Sequence, residues 1–272
     1  MIRSTFRLTP GVGAWLESRL WDAGVRTWDD LPDGAIPAVG PKVAARLREA
    51  VARAGEALAA RDAEGLARML PRAERWRLWA EFAEEACFLD IETDGTDRIT
   101  AIGLLDRGGP RVLLAGRDLE AFEELAGGWK LLGTFNGQAF DVPLLRRRFP
   151  RWTPPLAHVD LCHLWRRLGH AGGLKSLELS EGLHRPPRIA GLSGLDAIRL
   201  WQQHLDGDAT ALELLCEYNL YDAVHLRTLM DRGYNRMLTR LRLPAAPVRV
   251  AEPGDFRYDV SMVLLSLRGG MV

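Results

Sequence analysis

The segment ACFLDIETDG, Ala86 to Gly95, decides how the chain is read. It is an apolar run of strand-forming residues that nevertheless carries two acids, Asp90 and Glu92, one residue apart. Side chains alternate between the two faces of a strand, so i and i+2 emerge on the same side. Two carboxylates that close disfavour each other's ionisation, and burial adds to the cost. Such a strand is poorly designed unless something positive is meant to sit between the acids.

Working outward, ITAIGLLD, RVLLAG and KLLGTFN are further apolar runs bounded by Gly, Asp, Asn and Arg. The short, turn-like DGTDR after the first strand predicts a hairpin. The helical spacing of RDLEAFEELAG predicts a crossover to a parallel neighbour. After LAHVDL the chain is mainly helical, in LCHLWRRLG, LKSLELSEGL, GLDAIRLWQQHL and a long stretch beginning ATALELLCEYNLYDAVHL. Antiparallel strands followed by helices imply an α/β domain with a mixed β-sheet flanked by helices.

The first 60 residues differ. LTPGVGAWLESRLW and IPAVGPKVAARLREAV each set a Pro/Gly-rich turn before an amphipathic helix. Gly13 and Gly40 fall where the helices begin, leaving outward backbone N–H groups that suit an anion. Residues 8–55 resemble helix-hairpin-helix motifs, which grip a nucleic-acid backbone through such a turn, with Gly11, Gly13, Gly40 and Lys42 as its contacts. An ordinary helical cap would carry the same PxxG pattern. The expected organisation is a small all-α nucleic-acid-binding region over 1–60, a helical connector over 61–85, an α/β domain over 86–243 and a tail over 244–272. No role is assigned to that tail or its run VSMVLLSL.

Composition is that of an ordinary globular chain: 272 residues, 47% hydrophobic, 26% charged, formal net charge zero. The charge is unevenly spread. Residues 81–130 hold 12 acids and 5 bases, and residues 141–190 hold 9 bases and 4 acids. An acidic centre beside a basic flank suits a metal-dependent enzyme acting on an anionic polymer, although solvated faces produce such blocks too. Cys87, Cys162 and Cys216 form no CxxC pair, which points away from a disulfide framework or zinc knuckle and towards a reducing cytoplasm. No apolar run is long enough to span a bilayer, so no membrane role is expected.

Further acids lie at element ends. Asn136 closes the fourth strand, Gly137 turns, and Asp141 falls at the start of the next helix. Tyr218 and Asp222, four apart, share a helix face inside an otherwise apolar stretch. Taken together, FLDIET, FNGQAFDVP and YNLYD resemble, in order and spacing, the three motifs of the DEDD superfamily of 3′–5′ exonucleases, which have the RNase H-like fold. The tyrosine four residues before the last aspartate matches the tyrosine subtype; the histidine subtype wants His at 217, which is Glu. HVDL, GGLKSLE and the opening TF…PGVG…LW…TWDD are similar to a prokaryotic branch of RNase H-like proteins, up to about Leu243.

The resemblance implies that Asp90, Glu92, Asp141 and Asp222 are the acidic ligands of two Mg²⁺ or Mn²⁺ ions, with Tyr218 positioning the attacking water. Hard carboxylate oxygens suit these cations. Two such ions about 3.5–4 Å apart activate a water on one side and stabilise the leaving oxygen on the other. The implied reaction releases nucleoside 5′-monophosphates from a single-stranded 3′ end. Asn136, Phe140, Arg146, Arg147 and Lys175 are candidate nucleic-acid contacts, while Asp160 in HVDL is read as structural. An endonuclease on the same fold, or a silent nucleic-acid-binding protein, is the alternative. No motif reads a 2′-hydroxyl, so DNA and RNA both stay open, and no protein partner is inferable.

Overall fold

The computed structural model describes residues 1–256. The run VSMVLLSL lies outside them. Three helices open the chain: α1 (Ala14–Asp22), α2 (Pro41–Ala59) and α3 (Ala63–Met69). The connector continues through a 3-10 segment at Arg72–Leu78 and a single helical turn, α4 (Trp79–Phe82). Then come β1 (Ala86–Thr93), β2 (Ile99–Asp106), β3 (Gly109–Leu114), α5 (Phe122–Ala126), β4 (Leu131–Thr134), α6 (Asp141–Arg148) and β5 (His158–Asp160). Helices α7 (Leu161–Arg167), α8 (Leu174–Ser180), α9 (Gly194–Leu205) and the 33-residue α10 (Ala209–Leu241) complete the order.

The five strands form one mixed sheet in the order β3-β2-β1-β4-β5. The β1–β2 hairpin is antiparallel as its turn predicts, and β4 and β5 run parallel to β1. The α5 crossover does reach a parallel neighbour, but it carries β4 past the hairpin to lie beside β1 rather than β3. This leaves β1 central.

Alternation along β1 divides the core. Cys87, Leu89 and Ile91 pack with Phe122, Leu144, Leu145 and Phe149 of the α5–α6 side. Ala86 and Phe88 face the other way, into a core shared with Val224, Leu226 and Met230 of α10. That same core takes in Phe6, Leu20, Trp28 and Leu47 of the N-terminal region, so the apolar interior is continuous between residues 1–60 and the sheet. Asp90 and Glu92 prolong the Ala86–Phe88 row and therefore face α10.

Two glycines make the packing possible. Gly103 lies opposite Asp90 on β2, and a Cβ there would come within 2.6 Å of the Asn219 carbonyl oxygen. The missing side chain lets α10 descend onto the sheet next to Asp90. Gly133 gives the Phe88 ring its room, since a Cβ there would stand 2.4 Å from it. Beyond α10 the chain doubles back along the helix: Val248 N–H donates to Asn235 Oδ1 at 2.8 Å and Ala251 N–H to Asp231 Oδ2 at 2.9 Å.

A second buried charged cluster joins the N-terminal region to the rest. Arg77, 1% exposed, donates to Glu17 at 2.8 and 2.9 Å and to Glu74 at 2.7 Å. Glu74 also receives Arg7 at 2.6 Å and Arg167 at 3.0 Å, while Phe6 N–H donates to Glu17 at 2.8 Å.

Candidate metal centre

The sheet places its acids by register. Asp90 and Glu92 share the α10-facing side of β1, and Asp222 reaches them from α10, one turn beyond Tyr218. One oxygen from each of Asp90, Glu92 and Asp222 lies within 4.8 Å of the others. Lys175 from the first turn of α8 pairs with Asp222, and so does Arg185 from the loop after α8. The Glu92 side chain makes no hydrogen bond or ion pair with any of the described residues, while its backbone pairs with Ala101 of β2.

Asp141 stands at the edge of this group rather than in it. β1 pairs with β4 only as far as Phe88, and further along its edge the Ile91 N–H is left for another acceptor. Asp141 Oδ1, at the first position of α6, takes it at 3.2 Å. Asp141 nevertheless lines the same cleft as Asp90, Glu92, Tyr218 and Asp222, together with Phe135, Asn136, Phe140 and Lys175. The structure thus brings three acids together as one candidate ligand group, with the fourth on its rim.

The electrostatics follow from crowding. Burial, then Asp222, Asp141 and Glu92, push the Asp90 carboxyl far above the usual carboxylate range. Burial and Asp222 do the same to Glu92, against relief from Lys175. Burial raises Asp141 to about 7, although the N–H groups of Asp141 and Ile91 pull it down. Tyr218 is raised by burial and by Asp222, Glu92 and Asp90, so its hydroxyl keeps its proton. The group is short of positive charge. An all-oxygen, mutually repelling set of this kind fits a hard divalent cation, whose binding relieves both desolvation and repulsion.

Residues 87–234, more than half of the chain, match the family model of the RNase_H superfamily. This chain belongs to that superfamily. No curated protein and no solved structure matches it. The mixed sheet flanked by helices is that of an RNase H-like fold, and members with this fold act on nucleic acid as nucleases, with divalent metals as their usual cofactors. Among the described residues of this superfamily member, no helix is long and apolar enough to cross a membrane, and the three cysteines are buried and unpaired.

The other sequence candidates fall in different places. Phe140 is 44% exposed at the cleft, so it does not serve as a core residue. Asn136, in a left-handed conformation (φ 62°), also lines the cleft. Asp160 holds the turn beneath them: its carboxylate accepts the N–H groups of Asn136 at 2.8 Å, Gln138 at 3.1 Å and Cys162 at 3.1 Å. Arg146 and Arg147 are exposed on α6 and line a neighbouring cavity, not the cleft. Gly13 and Gly40 cap α1 and α2 with no side-chain cap, Gly11 has φ +98°, and Lys42 is exposed.

Three site residues escape a reading of the sequence. Arg185, in HRPPR, looks like an ordinary loop cation, yet its side chain is 6% exposed and bridges Asp222 to Glu178. Burial raises the Glu178 carboxyl, but hydrogen bonds from His225 and Arg185 outweigh this and hold it at about 2. Glu178 carries one local signal, its position one turn after Lys175 on the same helix face. Asn219, 0% exposed, donates to the Asp90 carbonyl at 3.1 Å and its carboxylate at 3.0 Å. It was hidden inside YNLYD because only the approach of α10 over Gly103 gives it a partner.

Proposed function

We propose that the chain is a divalent-metal-dependent nuclease that shortens single-stranded nucleic acid from its 3′ end, releasing nucleoside 5′-monophosphates. The observation that carries this reading is the Asp90–Glu92–Asp222 group, with Glu92 and Asp222 buried and Asp90 partly so, underpaired and open to a cleft that also holds Tyr218. Asp90, Glu92 and Asp222, with Asp141 from the rim, would hold two Mg²⁺ or Mn²⁺ ions. Bound there, such ions supply Lewis acidity to the attacking water and to the leaving 3′ oxygen.

The remaining work falls to the protein. Tyr218, kept protonated, donates a hydrogen bond that orients the water rather than removing its proton. Lys175 lies 4.2 Å from the centre of the Tyr218 ring, fixing the ring, and is free to turn from Asp222 to a substrate phosphate. Phe140 offers a stacking face to the terminal base and Asn136 a polar contact. Arg185, clamped by Glu178, orients Asp222. Residues 1–60, with the uncapped helix starts at Gly13 and Gly40, the Gly11 turn and the exposed Lys42, would provide a second grip on the strand.

A digestion tests this. A 5′-labelled single strand, as DNA and as RNA, is incubated with Mg²⁺, Mn²⁺ or EDTA beside Asp90→Ala. The expected result is a metal-dependent ladder that shortens from the 3′ end and is absent in the variant. Cutting of a closed circle would replace the exonuclease reading with an endonuclease one. Salt-sensitive binding by both proteins without cleavage would leave a binding protein.

A further inference from the structure

The Asn136–Phe140 turn has a second side. While Asn136 and Phe140 line the catalytic cleft, Gln138 lines two adjoining cavities outside it. One, of about 340 Å³, is walled by Arg72, Trp76, His163 and Arg167. The other is walled by Arg72, Arg146, Arg147 and Trp152. Arg72 and Gln138, hydrogen-bonded to each other, belong to both, so the two cavities form one trough along the turn.

Charge in the trough is one-sided. Among the described residues its only acid is Asp160, which is buried and engaged by three backbone N–H groups. Two of its arginines are already engaged, Arg167 with Glu74 at 3.0 Å and Arg147 with Asp97 at 3.3 Å. Arg72 meets only the neutral amide of Gln138, Arg75 beside it meets the Ala67 carbonyl, and Arg146 makes no ion pair among the described residues. Burial holds the His158 imidazole in the trough wall down at about 4, against Asp160 and with help from Arg72, Arg75 and His163. The His158 ring therefore adds no charge to the trough, and its positive charge belongs to the arginines, of which Arg72 and Arg146 are exposed.

We propose that this trough carries the phosphodiester backbone of the strand whose 3′ end occupies the catalytic cleft, with Arg72 as a phosphate contact on the 5′ side of the cut. The proposal rests on the nuclease reading above. Its support is charge complementarity and continuity: a single turn borders both cleft and trough. Arginine suits the role because its planar fork matches phosphate oxygens and its charge is permanent.

The test is binding of fluorescent single strands of 12 and 3 nucleotides in EDTA across a salt series, for wild type, Arg72→Gln and Arg72→Gln/Arg146→Gln. Each arginine removed should lower the slope of log affinity against log salt by about 0.7 and weaken 12-mer binding about five- to tenfold. The ratio of 12-mer to 3-mer hydrolysis in Mg²⁺ should fall with it. Gln138→Glu, which sets a carboxylate against Arg72 at an otherwise similar side chain, should reproduce the loss. Unchanged slope and length preference in all variants, with wild type still cleaving, would overturn the trough alone. A wild type that neither binds nor cleaves would overturn the nuclease reading together with it.

Discussion

Two buried clusters of charge lie in this chain, and they are built on opposite rules. At the junction of the N-terminal region with the rest, Glu17 and Glu74 face Arg77, Arg7 and Arg167, and every carboxylate oxygen has a donor. On β1 and α10, Asp90, Glu92 and Asp222 have beside them only Lys175 and an Arg185 already divided with Glu178, Asp141 of α6 adds a fourth acid at the rim, and the Glu92 carboxylate has no partner among the described residues. Burial of charge is common to both. What separates them is the balance of pairing: in the first every carboxylate oxygen has a donor, and the second is left short of positive charge.

Breaking the balanced cluster should give the largest effect. Arg77→Met leaves Glu17 and Glu74 buried without their shared partner, which should cost about 3–5 kcal/mol of stability. Urea denaturation would read this as a lowered midpoint. The opposite substitution sharpens the contrast. Asp90→Asn removes one repelling acid, so it should raise the thermal midpoint of the metal-free protein while lowering metal-dependent hydrolysis about 10²–10³-fold or more. A fall in both would place Asp90 with the junction residues.

A smaller effect is expected one step out. Arg185→Met frees Asp222 to turn and leaves Glu178 short of a donor, so affinity for Mn²⁺ should fall about 10–100-fold. Titration calorimetry measures it, and an unchanged affinity would make Arg185 a packing residue. A last effect concerns pH. The Asp141 carboxyl is raised to about 7 in the fold, so between its unfolded value near 4 and that point the native state holds a proton the unfolded chain has lost. Measured against Asp141→Asn, in which the opposite contribution of the buried His158 is unchanged, the metal-free protein should thus lose stability as pH rises through this window and level off above 7. Divalent metal should oppose the fall, since it replaces the proton. A difference between wild type and Asp141→Asn that does not change over this range in EDTA would show that Asp141 is ionised in the fold.

Much of this was legible in the sequence because it depended on local pattern. Alternation in ACFLDIET and the DGTDR turn predicted the hairpin, and the shared face of Asp90 and Glu92 followed from strand geometry alone. Tyr218 and Asp222 on one face of α10 required only helical periodicity. What stayed hidden depended on contacts between distant segments. Arg77 in RWRLW has the appearance of a surface arginine, and nothing local says that Glu17, sixty residues earlier, closes over it. Arg185 and Asn219 acquire their partners only when α8 and α10 dock. Asp141 was expected as a fourth ligand, and what the sequence did not show is that the end of β4 short of Ile91 leaves an N–H for its carboxylate to accept.

The most direct measurement is a calorimetric titration of Mn²⁺ into wild type and Asp222→Asn at pH 7.5 and at pH 6. Uptake with proton release by wild type, weaker at pH 6 and lost or sharply reduced in the variant, is the expected result. No saturable uptake by wild type, or identical isotherms for the two proteins, would contradict the claim that the unbalanced acids form a cation site.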